Sequence, residues 1–411
     1  MEREAVLVGI DVGTSKVCAL IGEVSRDGKL TIMGHGTVPA SGLKKGVVIN
    51  IDQTVRSIQD AVERAERLSG WKIDRAFVGV GGQHVESLNS RGQVAVTAHH
   101  REVTREDVIR AIEVARAVTI PSNRQEIHVE RRGFTVDGQE GVKDPLGMSA
   151  LRLEVETHIV TASATAVQNL TKCVSAAGVK IDELVVDGLA SAEAVLSDEE
   201  KELGILLIDL GGGTTDVALF RDGAIWHTGV LPLGGDHISN DVAVGLRTPT
   251  AEAEELKKRH GCALTALVRE DEVISVPSVG GRKARELSRQ ILSEIIQPRV
   301  EEIFTLVARE LTKAGLEDAA AAGVVVTGGA SILPGVPELA EQVFDLPVRR
   351  GLPTGVGGLS DVVRSPIYST GVGLALYGAR GRRSGVAMDE SGGSMAPGAL
   401  RRLRDWFSEL F

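Results

Sequence analysis

Short apolar runs alternate with helically periodic stretches through both halves of the chain. The runs at residues 75–80, 183–186 and 323–326 predict buried strands, and those at 6–8 and 205–207 open two further strands. Apolar positions recur at helical spacing over 53–68, 163–177, 251–260 and 286–312. Such alternation marks α/β domains. Residues 85–156 fit neither half and read as strand, helix and more strands, the helix starting at Thr104 with Asp107 completing a variant capping box. Because this stretch has its own apolar periodicity, it predicts an inserted α+β subdomain rather than a long loop. After Gly378 the pattern gives way to Gly, Ser and Arg, the composition of a flexible linker over 379–397. Periodicity returns in 398–411, where Leu400, Leu403, Trp406, Phe407, Leu410 and Phe411 fall on one helical face and Arg401, Arg402 and Arg404 lie off it. A helix docked on its own domain is the ordinary reading of such a face. The preceding linker, the aromatic ending and the nearby arginines point instead to an amphipathic helix on an anionic membrane surface.

One motif occurs twice. Ile10-Asp11-Val12-Gly13-Thr14-Ser15-Lys16 follows the first apolar run, and Ile208-Asp209-Leu210-Gly211-Gly212-Gly213-Thr214-Thr215-Asp216 follows its counterpart. Each is trailed by Arg-Asp-Gly, at 26–28 and 221–223, a hairpin-turn signal. Glycines let backbone N–H groups approach phosphate oxygens, and the small hydroxyls add donors. An aspartate at each strand end, Asp11 and Asp209, suits magnesium held through its water shell beside phosphates. Either turn alone reads as a tight turn; two in matching contexts imply similar domains facing each other across a nucleotide. A third loop, Thr327-Gly328-Gly329-Ala330-Ser331, follows another buried strand and offers a flat seat for a base or ribose. Neither a Rossmann fingerprint nor a Walker P-loop is present.

The remaining composition narrows the class. A length of 411 residues allows two or more cored domains. The formal charge of −10 argues against nucleic acid as the main partner. Cys18, Cys173 and Cys262 have neither metal nor disulfide spacing and read as buried thiols in a reducing cytosol. No apolar run reaches membrane-spanning length, and the first residues lack a signal-peptide profile.

Together the loops resemble the superfamily of actin, sugar kinases and heat-shock chaperones. Five motifs occur in its order: 10–16, 186–192, 208–216, 324–331 and 371–376. Within it, Asp11-Val-Gly-Thr-Ser-Lys-Val17, Gly141-Val-Lys-Asp-Pro-Leu-Gly-Met148, Gly234-Gly-Asp-His-Ile-Ser-Asn-Asp-Val-Ala243, Ala253-Glu-Glu-Leu-Lys257 and Val276-Pro-Ser-Val-Gly-Gly-Arg282 are similar to the FtsA family of bacterial cell-division proteins. The resemblance implies an actin-like fold of two duplicated ribonuclease-H-like cores. The first would cover 1–84 and 157–200, with 85–156 inserted, and the second 201–232 and 305–378, with 233–304 inserted. It implies ATP with Mg2+, with Lys16 beside the phosphates, Glu254 and Lys257 at the ribose and base, and Asp187 positioning a water. No dedicated general base stands out, so ATP is expected to act structurally, with slow turnover at most. The implied partners are further copies in a filament, the anionic membrane, other division proteins and the FtsZ C-terminal tail, the last met by Arg285, Arg299 and Glu302. The implied place is the cytoplasmic membrane face at the division site. A PilM-like pilus scaffold and a metabolite kinase are the alternatives on this fold.

Overall fold

The computed structural model describes residues 5–25, 28–97, 101–281 and 283–383. The predicted membrane helix, with Leu400, Leu403, Trp406, Phe407, Leu410 and Phe411, lies outside the described residues, as do Arg26, Asp27 and Arg282.

The first core is a six-stranded sheet. β1 (Ala5–Val12), β2 (Lys16–Val24) and β3 (Leu30–Pro39) form an antiparallel meander, and β6 (Arg75–Val80) and β11 (Lys180–Val186) add in parallel beyond β1. β19 (Val356–Gly358) closes the other edge, and a small hairpin, β4 (Leu43–Lys44) with β5 (Val47–Val48), lies before the first helix. Helices α1 (Ile51–Ser69) and α3 (Ala164–Ala176) cover one face through Ile58, Ala61, Val62, Val167 and Val174. On the other face lie α4 (Asp187–Val195) and α11 (Ser369–Arg383), where Ala190, Leu374 and Ala379 pack on Leu7 and Phe77. α1 is bounded by Asn50, whose side chain accepts from Gln53 N, and by Gly70 in the left-handed region.

The second core repeats the plan. β12 (Ile205–Leu210), β13 (Thr215–Arg221) and β14 (Ala224–Leu231) form the meander, and β17 (Val324–Thr327) and β18 (Val348–Arg350) add in parallel. The expected turn at 221–223 is there, with Asp222 and Gly223 at φ 55° and 76°. Its core is closed by α6 (Gly235–Leu246), α7 (Thr250–His260), α8 (Arg289–Lys313) and α9 (Val336–Phe344). The short helices α5 (Asp198–Leu203) and α10 (Ser360–Val363) complete the set. One expectation needs correction. The helix predicted from residue 286 starts at Arg289, because 285–288 form β16 (Arg285–Ser288) against β15 (Val273–Val276) and the Ser288 hydroxyl then caps α8. α11 likewise runs past Gly378 to Arg383, its last turn held by Arg380 on Glu193 at 3.2 Å.

Between the cores sits a third sheet, β7 (Glu86–Ala95), β10 (Arg152–Ser163), β8 (Arg124–Val136) and β9 (Gln139–Val142), covered by α2 (Arg105–Arg116). Thr104 and Asp107 form the anticipated capping box. Val108, Ala111, Ile112, Phe134 and Leu153 give this sheet its own core. It also docks on β14. The buried His158 ring bridges Asn89 at 2.7 Å and Thr228 at 2.9 Å, and Ser87 Oγ donates to the Thr228 carbonyl at 2.7 Å. Burial pushes His158 down to about 3, so this joint stays neutral at physiological pH. Arg132 stacks on the Trp226 ring, 4.0 Å from its centroid, beside it. Cys18, Cys173 and Cys262 are all buried thiols. Among the described residues no helix is long and apolar enough to cross a membrane.

Candidate nucleotide site

Both duplicated loops close the same way. Gly13 N donates to Lys16 O at 3.0 Å, and Gly211 N donates to Thr214 O at 3.0 Å. Each closure turns a buried strand sharply back on its neighbour and leaves an aspartate, Asp11 or Asp209, at the strand end. The loops meet tip to tip. A Cβ on Gly212 would overlap the Ser15 hydroxyl, and one on Gly213 would lie 2.6 Å from Thr14 Oγ1 and 2.7 Å from its Cγ2. Ser15 Oγ also donates to Asp236 at the start of α6, at 3.3 Å. Behind them, Gly235 N and Asp236 N donate to the Gly211 and Gly212 carbonyls at 2.9 and 2.8 Å, and Thr215 Oγ1 donates to the Leu233 carbonyl at 2.9 Å.

Four carboxylates converge beneath the loops, the buried Asp11, Asp209 and Asp216 and the half-buried Asp187. Asp187 opens α4, and the ends of β6 admit it only because residues 79 and 81 are glycines, where any Cβ would overlap its carboxylate. Burial and the neighbouring charges of Asp216, Asp11 and Asp209 push Asp187 well above the ordinary carboxylate range. Asp216 is raised likewise, by burial and then by Asp209 and Asp11. Asp209 is raised by burial, partly offset by the hydroxyl of Ser191 at 2.5 Å, with Thr370 a further donor at 3.4 Å. Lys16 holds the Asp11 carboxylate as an ion pair. Burial acts against its charge most strongly, but Asp11, Cys18 and Asp209 together outweigh it and the ammonium stands above its usual value. Asp187 Oδ1 and Asp216 Oδ1 are buried without a hydrogen-bond partner.

This arrangement fits a cation that keeps its waters. The acids are in excess over Lys16, and two of their oxygens have no hydrogen-bond partner. Among the described residues no three donors are placed to grip a metal directly. Magnesium bound through phosphates and water has those needs. Asp216, Ser191 and Thr370 were not singled out in the sequence. Asp216 ends the Gly-Gly-Gly-Thr-Thr-Asp run and was open to notice; the two hydroxyls carried no signal, since only the fold brings α4 and α11 to Asp209.

The far wall comes from α6, α7 and the third loop. Lys257 Nζ is buried, donating to Gly235 O at 2.9 Å and Ser239 Oγ at 2.8 Å, and pairs with Glu254 at 2.6 Å. Despite burial, the Lys257 charge and the Ser239 and Lys258 contacts hold Glu254 below its ordinary range. Gly328 has φ 84°, and a Cβ there would overlap Asp209, so the third loop lies directly on the second phosphate loop. Gly329 follows with nothing nearer its Cβ position than Ile367 Cγ2 at 3.7 Å, while Ala330 Cβ comes within 3.5 Å of the Cβ position of Gly235. The structure thus gathers the residues of all three loops, with Asp187, Glu254 and Lys257, into one cleft between the cores.

A family model described as "Cell division protein FtsA" matches residues 206–373, and one described as "SHS2 domain inserted in FTSA" matches 82–161. The chain is 51% identical over 410 residues to the cell division protein FtsA of Pseudomonas aeruginosa, covering 98% of each. The chain belongs to the FtsA family. Among solved structures, the PilM–PilN type IV pilus biogenesis complex superposes with TM-score 0.64 at 17% identity, over 92% of this chain and 99% of that one. MreB5 of Spiroplasma citri bound to ADP gives 0.52 at 15%, over 90% and 94%. These two show the actin-like fold, and the SHS2 match places the inserted subdomain at 82–161 of this chain.

Arg285, Arg299 and Glu302 lie away from the cleft. Arg285 donates to the Leu246 carbonyl at the end of α6. Arg299 is clamped by Asp241 at 2.5 and 3.1 Å and pairs with Glu302. The acid cluster has a consequence for stability. A carboxylate raised on folding costs stability once pH exceeds its unfolded value, near 4, and the cost grows until the folded value is passed. The nucleotide-free protein should therefore lose stability as pH rises from about 4 through the raised range of Asp187 and Asp216. Asp216→Asn should raise the Tm of the nucleotide-free protein at pH 7.5 by roughly 2–4 °C and flatten that slope, as followed by calorimetry.

Proposed function

We propose that this chain is an ATP-binding, actin-like scaffold of the division machinery that polymerises on the cytoplasmic membrane face and tethers the FtsZ ring there. The observation carrying the nucleotide reading is the tip-to-tip meeting of the two phosphate loops over unpartnered aspartate oxygens. The likeness to a fold neighbour solved with ADP supports it. When bound, Mg-ATP supplies a polyanion and a cation that both cores can share. Gly13 to Lys16 and Gly211 to Thr215 would donate to phosphates, Asp11 and Asp209 would hold the ion's waters, and Glu254, Lys257 and Gly328 to Ala330 would seat the nucleoside. Asp187 would orient a water, and its raised affinity for a proton fits slow turnover at most. Binding energy spent across both cores stabilises the closed protomer.

The tethering half rests on the family and on the 398–411 pattern. One tail with six apolar side chains holds a protomer reversibly, and a filament of such tails gains avidity. Cosedimentation with phosphatidylglycerol vesicles, with and without Mg-ATP, tests this. Binding should strengthen at polymerising concentrations, and a non-polymerising variant that bound as tightly as the parent would sink the reading. For the FtsZ tail, Arg285→Glu should weaken peptide binding about tenfold in a fluorescence-anisotropy titration, as removal of one charge-assisted contact would. Unchanged binding counts against that surface.

A further inference from the structure

One end of the first core carries an exposed apolar and basic patch that none of these roles uses. α11 begins at the aspartates, where Thr370 donates to Asp209. It ends at the opposite end of the sheet, where Ala379 packs with Leu7 and Phe77 near the starts of β1 and β6 and Arg380 reaches Glu193. α1 also ends there, since residues 71–74 lead directly into β6 at Arg75. On that turn Leu68 and Trp71 stand 52% and 47% exposed. Arg67, Lys72 and Arg75 flank them, and Lys180 and Lys29 open β11 and β3 at the same sheet end. Lys72 and Arg75 share their charge with Glu66 and Asp182. Of residues 67–75, Asp74 is the one acid. In a chain of net charge −10, Arg67, Lys29 and Lys180 stand exposed at this end, beside the acids Glu23, Glu66, Asp74 and Asp182.

The segment read as membrane-binding leaves from the same end. Residues 384–397 separate α11 from it and reach at most about 50 Å even fully extended. A bilayer that holds residues 398–411 therefore lies within that reach of the end of α11, on the side of the first core that carries Trp71. We propose that Leu68, Trp71, Arg67, Lys180 and Lys29 form a second contact with an anionic lipid surface, Trp71 lodging at headgroup depth and the cations facing lipid phosphates. The proposal rests on the membrane reading of 398–411. A tail alone leaves the core free to rotate; a second contact fixes this sheet end toward lipid and the nucleotide loops away from it.

The test uses full chains on phosphatidylglycerol vesicles. Leu68→Ala/Trp71→Ala should bind about three- to tenfold more weakly. In a Trp406→Phe chain, bromine-labelled phosphatidylglycerol should quench fluorescence, and adding Trp71→Phe should abolish the quenching. Parental affinity with unaltered quenching in the patch variants overturns the proposal while leaving the terminal segment in place. A Leu403→Glu/Phe407→Glu chain that binds like the parent, or a parent that ignores the vesicles, overturns the terminal reading and the patch with it. Patch variants that keep vesicle binding but lose filament pairing assign the surface to protein and overturn the lipid proposal.

Discussion

Gly213→Ala is expected to weaken nucleotide binding at least about 100-fold, close to 2.7 kcal/mol, with little change in secondary structure. Its Cβ would stand 2.6 Å from Thr14 Oγ1, 2.7 Å from Cγ2 and 2.9 Å from Cβ. Thr14 is β-branched and its hydroxyl accepts from Gly46 N at 2.9 Å, so it has no free rotamer into which to retreat. The methyl is accommodated only if the two loops part. Parting them separates the backbone donors of 13–16 from those of 211–215, and a ligand contacting both loses half its partners. Neither Gly213 nor Thr14 belongs to a hydrophobic core, so the fold itself is spared. Gly133→Ala serves as control, since its Cβ position meets nothing within 4 Å. Equilibrium titration with a fluorescent ATP analogue measures the effect; an affinity within threefold of the parent would show that the loops do not act on one ligand.

What the sequence disclosed and what it withheld divide along physical lines. The duplicated loops were legible because a tight strand-to-strand return over a polyanion demands glycine and small hydroxyls at fixed spacing, and 11–16 and 209–215 supply them twice. The strand at 75–80 was read without error because β6 is buried from Ala76 to Val80, leaving an unbroken apolar run. The start of α8 was misplaced by three residues. Arg285 to Ser288 are as compatible with a helix turn as with a strand, and only pairing with β15 decides between them. The arginines offered to the FtsZ tail, and Arg289 between them, have contacts that the local sequence does not show. Arg289 pairs with Glu272 and Arg299 with Asp241, partners 17 and 58 residues away that no local pattern connects. The Ser191 and Thr370 hydroxyls and the Trp71 patch share that character. Each depends on which sheet end or helix terminus the topology brings near.

Gly373→Ala should be among the most damaging single methyls at the described glycines, destabilising by about 3 kcal/mol or more. Its Cβ would overlap the Ala190 carbonyl oxygen and carbon, backbone atoms of α4 that cannot rotate aside. Against β1, a Cβ on Gly9 would stand 2.6 Å from the Gly371 carbonyl oxygen and 2.9 Å from Leu374 Cβ, so α11 has no slack on that side either. The crossing of α11 and α4 is therefore a backbone-to-backbone contact, pinned on both sides. It also joins the molecule's two ends. α4 begins with Asp187 at the nucleotide cleft and carries Glu193 near its far end, where Arg380 of α11 is held. A shift of α11 away from α4 would withdraw Thr370 from Asp209 at one end and loosen Arg380 at the other. Gly373→Ala should accordingly lower Tm by several degrees or yield insoluble protein, and saturating Mg-ATP should restore part of the loss, because ligand binding to the folded state adds RT ln(1 + [L]/Kd). Gly381→Ala, on the same helix with open space at its Cβ position, should leave Tm unchanged. Equal melting of the two variants would mean that the helices part without cost and that nothing ties the cleft to the end of the chain.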